Sequence, residues 1–521
     1  MTQNTDYFLT IDNGTQSIRA LVFDHRGILV VKTKIDIEPY LSPQPNWAEQ
    51  DANYFWDSLC QACQQLWPLL PFDKSLIKAV SITTQRATMV AVDKSGEPLR
   101  PAFVWLDQRQ ASGQPKLNIM ESLATKIVGA KPLLEDFYSQ SKSNWMAEQQ
   151  PELWNKVDKF LLLSGFHTFK MTGNYSDAIS SQVGYIPFDF KQLQWAKSGD
   201  MKWRLVPTIK PSMLPTLLPA GHELGRITQQ AALQTGIPEG LPLIASGSDK
   251  GCEVIGSGCI NESIGSLSYG TTATFNITTK KYLEPIAFHP AYPGVIPNTY
   301  NPEMIIKRGY WMVSWFKKEF GLYEETLAKQ QGIATEQLFD DLLKAAPPGS
   351  MGLTLQPFWS SDTSGKAPEA KGAIIGFGDV HTRAHVYRAI IEGLTYALRE
   401  GKEILERRAK TKITQLKVSG GGSQSDEVMQ ITADIFGMRV ERPHTFETSG
   451  LGAAIACAVG TNYYASFEEA VSKMTHTGDS FEPNEKNRAL YNQLYSAVYK
   501  KMYKGLRPSY KMIRKITNYP N

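Results

Sequence analysis

The sequence predicts an α/β protein of two domains, and three observations predict it. Its 521 residues exceed what one hydrophobic core organises, since cores stop growing at about 250–300 residues. Runs that read as strands are interleaved with runs whose apolar residues recur every three or four positions, the helical period. Two strand–turn–strand hairpins, each built around a Gly-Thr step, open the two halves of the chain.

Taken in order, Tyr7 to Asp24 gives two apolar strands around D-N-G-T, and D-H-R-G (Asp24 to Gly27) turns the chain into a third. This is an antiparallel meander. A helix follows over about 51–70, where Tyr54, Phe55, Leu59, Cys63, Leu66 and Trp67 share a face, and then a strand from Ile77 to Ile82. Met89–Val92 and Phe103–Leu106 suggest a further pair; helices dominate roughly 117–172, and 207–219 is a proline-rich connection. The second block begins at Leu243, and its Gly270-Thr271-Thr272 lies between alternating strands as Gly14-Thr15-Gln16 does in the first, which suggests a duplication. Residues 281–302 hold five prolines and no period, so they read as loop. A long helix returns at 382–407, with Val386, Ala389, Ile390, Gly393, Leu394, Ala397 and Leu398 on one face. The boundary falls near residue 255, giving units 1–255 and 256–521.

Composition narrows the function classes. With 42% apolar residues, 20% charged residues and a net charge of +4, nothing favours nucleic acid. The basic run Tyr499–Lys515, with seven Lys or Arg, reads as a solvated helix face. No run approaches the ~18 apolar residues of a membrane span, and no signal peptide is legible. Five cysteines are too few for a disulfide framework, and Cys60 and Cys63 sit in a helical pattern without a second pair. The expectation is a cytoplasmic protein with neither nucleic-acid nor membrane partners.

Three Gly/Thr/Ser-rich turns follow apolar strands: D-N-G-T-Q-S (12–17), Y-G-T-T-A (269–273) and S-G-G-G-S-Q-S (419–425). Backbone N–H groups of such turns approach phosphates closely, and their hydroxyls add donors. Singly each is only a turn; together, with the isolated aspartates Asp12 and Asp249, they suggest phosphoryl transfer. That reaction needs a carboxylate to anchor a metal ion and another to accept the attacking hydroxyl's proton. Asp12 suits the first task and Asp249, in A-S-G-S-D-K-G, the second. A backbone-capping turn aspartate is the plain alternative for either.

These motifs, in this order, resemble the FGGY carbohydrate kinases, the family of glycerol kinase and the pentulose kinases. The resemblance also takes in T-T-Q-R-A-T-M-V (83–90), V-W-L-D-Q-R (104–109), G-S-D-K (247–250), G-A-I-I-G-F with H-V-Y-R-A-I-I-E-G (372–393) and E-T-S-G-L-G-A-A (447–454), and runs from about residue 7 to 462. It implies the two-domain, actin-like (ribonuclease H-like) fold with ATP and sugar meeting in the interdomain cleft. It further implies a magnesium ion served by Asp12 and phosphate contacts from Gly14, Thr15, Gln16, Arg19, Gly270, Thr271 and Thr272. Gly421, Gly422 and Ser425 would lie at the adenosine, Asp249 would be the general base, and Gln85, Arg86, Trp105 and Phe137 would line the sugar. Relatives of this kind form dimers or tetramers, so a homodimer or homotetramer is open to the chain.

Departures from the family pattern bear on the substrate. Glycerol kinases read Q-R-E where Gln85-Arg86-Ala87 stands, and pentulose kinases often read Q-M-H-G there. Phe137 takes the place of a tyrosine, Ser143 that of an apolar residue and Lys250 that of Gln or Asn. Losing a hydroxyl partner weakens a site built on hydrogen bonds, so the missing carboxylate favours a ketopentose or its polyol over glycerol. An actin-like ATPase acting on proteins, or a sugar sensor without catalysis, are the rival readings.

Overall fold

The computed structural model describes residues 6–127, 129–360 and 369–519. Among the described residues, two six-stranded sheets dominate. The first uses β1 (Tyr7–Asn13), β2 (Ser17–Asp24), β3 (Leu29–Asp36), β4 (Ile77–Thr84), β5 (Glu223–Arg226) and β6 (Pro242–Ile244), in the order β5-β6-β4-β1-β2-β3. The second uses β7 (Ile264–Tyr269), β8 (Ala273–Asn276), β9 (Glu303–Ile306), β10 (Gln415–Ser419), β11 (Val440–Pro443) and β12 (Thr477–Phe481), in the order β9-β8-β7-β10-β11-β12.

The two orders are one topology used twice. In each, a three-stranded antiparallel meander is followed across the sheet by two parallel strands and an antiparallel edge. The duplication suggested by the paired hairpins is thus matched by the order and direction of the strands in the two sheets.

Each sheet is buried by helices on its faces. On one face of the first lie α1 (Ala52–Leu66) and α2 (Leu163–Thr172), with Phe55, Leu59, Cys63, Leu66 and Phe166 in the core. Cys60 and Cys63 are buried, and burial pushes the Cys60 thiol up to about 12, so they serve packing. The opposite face is covered by α3 (Asp249–Gly256) and by α6 (Thr448–Gly460), a helix from the far end of the chain. Two glycines let α3 and α6 touch backbone to backbone: a methyl group on Gly452 would lie 2.0 Å from the Cys252 carbonyl oxygen, and one on Gly256 2.0 Å from that of Thr448. The second sheet packs on α4 (Arg383–Ala409) and α5 (Asp426–Phe436).

Several local readings are refined. The 117–172 region contains the strand Lys159–Leu162 among its helices, and the proline-rich 281–302 segment pairs Tyr292–Pro293 with Tyr300–Asn301, strands too short to show a period. The basic C-terminal run lies on the helix Lys500–Thr517. No helix among the described residues is long and apolar enough to cross a membrane.

Candidate active site

The turns and aspartates singled out in the sequence lie at the ends of the central strands. Asp12 is the penultimate residue of β1, opposite Arg19 on β2, and the Gly14 N–H closes the turn on the Ser17 carbonyl at 3.1 Å. The Asp12 carboxylate is 5% exposed and accepts a 3.1 Å hydrogen bond from Arg19 Nη1. The same guanidinium nitrogen lies 3.4 Å from Glu447 Oε2, just before α6. Burial pushes the Asp12 carboxyl up to about 7; Arg19 opposes this, while Asp249, Glu447 and Glu253 add to it.

Asp249 stands at the first position of α3, whose N-cap Ser248 accepts from the Gly251 N–H. Its Oδ1 accepts the Lys250 N–H at 2.7 Å, where the helix dipole favours a negative charge. Burial nevertheless holds its carboxyl above the usual carboxylate range, against the pull of Arg86 and Lys250. Lys250 turns away to Glu253 Oε2 (2.7 Å) and Ser268 Oγ (2.5 Å), and Ser419 donates to Glu253 Oε1 at 2.7 Å. This buried network joins the helix of Asp249 to both central strands of the second sheet.

At the second sheet, Gly270-Thr271-Thr272 turns β7 into β8 and leaves its tip at the surface. The Gly270 and Thr271 carbonyls are taken by the N–H groups of Tyr310 and Trp311. Tyr310 stacks on Tyr269 with centroids 4.6 Å apart. The glycine turn after β10 lies over this pair: a methyl group on Gly422 would come within 2.3 Å of the Tyr310 ring. Gly421 lies open at the surface. The Ser425 hydroxyl caps α5 by accepting the Val428 N–H and donates to Asp340 Oδ1 at 2.5 Å.

On the sugar side, Trp105 Nε1 donates to Thr15 Oγ1 at 3.0 Å, and that hydroxyl lies 3.4 Å from Gln85 Oε1. Gln16 is exposed. Arg86 pairs with Glu303 on β9 at 3.0 Å and lies 4.9 Å from the centre of the Tyr292 ring. Phe137 is on the helix Lys131–Gln140, its ring edge-on to Tyr185 at 5.2 Å, and packs against the same apolar cluster as Tyr292. Ser143 is buried and shares a hydrogen bond with Ser141 Oγ, which provides for its polarity where an apolar residue was expected.

Sequence reasoning gave no role to Glu253, Glu303, Glu447 or His167. Glu253 carried a signal, one helical turn beyond Asp249. Glu447 opens a motif already noted. His167 is fully buried, with Nε2 2.9 Å from Asn13 Oδ1 beneath the first turn, and burial lowers its pKa to about 3. Glu303 gave no local signal.

With this geometry in place, comparison with known proteins is decisive for the family. Residues 7–256 match the N-terminal domain of the FGGY family of carbohydrate kinases, and residues 265–461 match the C-terminal domain. The chain belongs to this family. It is therefore a carbohydrate kinase, a phosphotransferase. A xylulose kinase of Staphylococcus epidermidis is 27% identical over 519 residues, covering 98% of this chain and 99% of its own. A glycerol kinase of Rhodospirillum rubrum is 28% identical, covering 88% and 91%. The crystal structure of a ligand-bound xylulose kinase from Lactobacillus acidophilus superposes with a TM-score of 0.80 at 20% identity, over 97% of this chain and 99% of that one. The FGGY kinase has the actin-like fold, as expected.

Proposed function

We propose that this kinase transfers the γ-phosphoryl group of magnesium ATP to a terminal hydroxyl of a pentulose such as xylulose or ribulose. The observation that carries the reading is the pairing of the buried Asp12 with the partly buried Asp249, whose charges act on each other at the strand ends of the first sheet. Asp249 accepts the attacking hydroxyl's proton, a task suited to a carboxyl held above its ordinary range. The Gly14–Gln16 and Gly270–Thr272 turns offer backbone N–H groups and hydroxyls to the phosphates from opposite sides. Gly421 and Gly422 provide a surface without side chains for the nucleoside, above the Tyr310 ring.

The donor set suits magnesium. Among the described residues no three His, Cys, Asp or Glu side chains gather into a metal cage; magnesium is ordinarily held by one or two carboxylates with phosphates and water. Asp12 would hold it, with Asp249 nearby, and bound there the ion offsets phosphate charge. A cation held there would favour the ionised form of Asp12, whose carboxyl burial pushes up to about 7.

A pentulose is favoured because the residue after Arg86 is Ala87, which removes the carboxylate of the glycerol-kinase motif. The full-length xylulose kinase relatives support the same choice. Glycerol or another short polyol is the second reading, supported by the glycerol kinase relatives. The enzyme is placed in the cytoplasm, with units 1–255 and 256–521 forming the cleft. A coupled assay with magnesium ATP across C3 to C7 ketoses and polyols tests the proposal: xylulose or ribulose is expected to give the highest kcat/KM. Glycerol exceeding both would select the second reading.

A further inference from the structure

Glu303 brings a carboxylate from the second sheet to Arg86, whose own motif carries Ala87 where a glutamate was expected. It begins β9, the edge of the second sheet, opposite Asn276, while Arg86 follows β4 of the first sheet by two residues. Glu303 Oε1 accepts from Arg86 Nη2 at 3.0 Å, with the glutamate side chain 4% exposed and the arginine 17%. Glu303 Oε2 is buried, and no protein group donates to it. A charged oxygen in that position is costly unless a donor arrives. The motif that holds Arg86 contains two more buried polar atoms without a protein partner, Gln85 Nε2 and Thr88 Oγ1. Arg86 is also close enough to Asp249 for the two charges to act on each other.

We propose that Glu303 is a specificity-determining residue of this kinase, its second carboxylate oxygen accepting a hydroxyl of the ketose or polyol while the first orients Arg86. The inference rests on the sugar-kinase reading above and deepens it. A carboxylate carried on the second sheet binds the sugar only when both halves are in place, so recognition and the assembly of the cleft become one event.

The test is Glu303→Gln in the full-length enzyme, assayed with xylulose, ribulose and glycerol. The variant keeps the shape and loses the anionic acceptor. We expect the KM for the preferred ketose to rise at least tenfold, the ATP KM to stay within twofold, and the preference for that ketose over glycerol to shrink. An ion pair of purely structural worth would lower the unfolding temperature without moving the sugar KM, and that outcome overturns the proposal. If Glu303→Gln does not fold, Glu303→Asp keeps the charge but withdraws the carboxylate by one methylene; its sugar KM is expected to rise, and an unchanged value overturns the proposal equally. Wild-type enzyme inactive on every sugar would instead overturn the kinase reading on which this rests.

Discussion

The tips of the two sheets share one topology and carry opposite chemistry. Two residues before Gly14 stands Asp12, buried against Arg19 and within reach of the charges of Asp249, Glu253 and Glu447. Two residues before Gly270, at the matching position of the second hairpin, stands Ser268, a neutral acceptor for Lys250. The neighbouring parallel strands repeat the match: Asp12 pairs with Thr83, and Ser268 with Ser419. Beneath the second turn lies an aromatic floor, Tyr269 on Tyr310, where the first has the imidazole of His167. The duplicated scaffold has divided its labour. The first tip gathers carboxylates and an arginine; the second presents backbone and aromatic rings.

That division predicts a graded series of effects. The largest is expected from Asp249→Asn, which removes the proton acceptor. Turnover should fall by about 10²–10⁴-fold, while sugar binding, followed by tryptophan fluorescence, should persist. Near-normal turnover would take the base away from the first tip. Asp12→Asn comes next: the magnesium concentration for half-maximal rate should rise by about tenfold or more. Thermal unfolding should hold or improve, because a carboxyl whose ionised form burial disfavours is gone. On the second tip, Gly422→Ala pushes a methyl group into the Tyr310 ring. The ATP KM should rise by about tenfold with the sugar KM unchanged, one tenfold step corresponding to about 1.4 kcal/mol. Equal rises in both constants would dissolve the contrast between the tips.

The last effect leaves turnover aside and concerns acid stability. His167 stays neutral down to about pH 3 when folded but titrates at 6.5 when exposed, so the unfolded chain binds the extra proton. Its contribution is present above pH 6.5 and is lost as the pH falls from there toward 3, by up to about 1.4 kcal/mol per pH unit. His167→Gln should therefore flatten the decline of unfolding free energy with acid in denaturant titrations. An unchanged slope would mean that the ring carries its proton in the fold.

What the sequence made legible was local. The hairpins around Gly14 and Gly270 announced themselves because alternation and turn residues act over a few positions. Asp12 and Asp249 stood out as carboxylates at strand ends. The partners did not, because their meaning lies in separation: Arg86 meets Glu303 across 217 positions, and Glu253 meets Ser419 across 166. Arg19, expected to reach phosphate, is held by Asp12 and Glu447, a pairing invisible until α6 is brought onto the first sheet. Phe137 illustrates the converse. A motif position placed it in the sugar site, while its contacts run to Tyr185, and its role there stays with the proposal.

The docking of α6 on the first sheet has a consequence for how this chain is born. Phe8, Leu21 and Phe23 face Leu451, Ala454 and Ile455, residues made more than four hundred positions later. During synthesis the amino-terminal half therefore emerges with one side of its central sheet covered by α3 alone, and the rest stays open until the ribosome has nearly finished. Nascent chains in that state are prone to clump. A fragment ending at Gly256 would keep both Asp12 and Asp249 and yet is expected to need its missing helix, supplied as a separate peptide, to remain in solution.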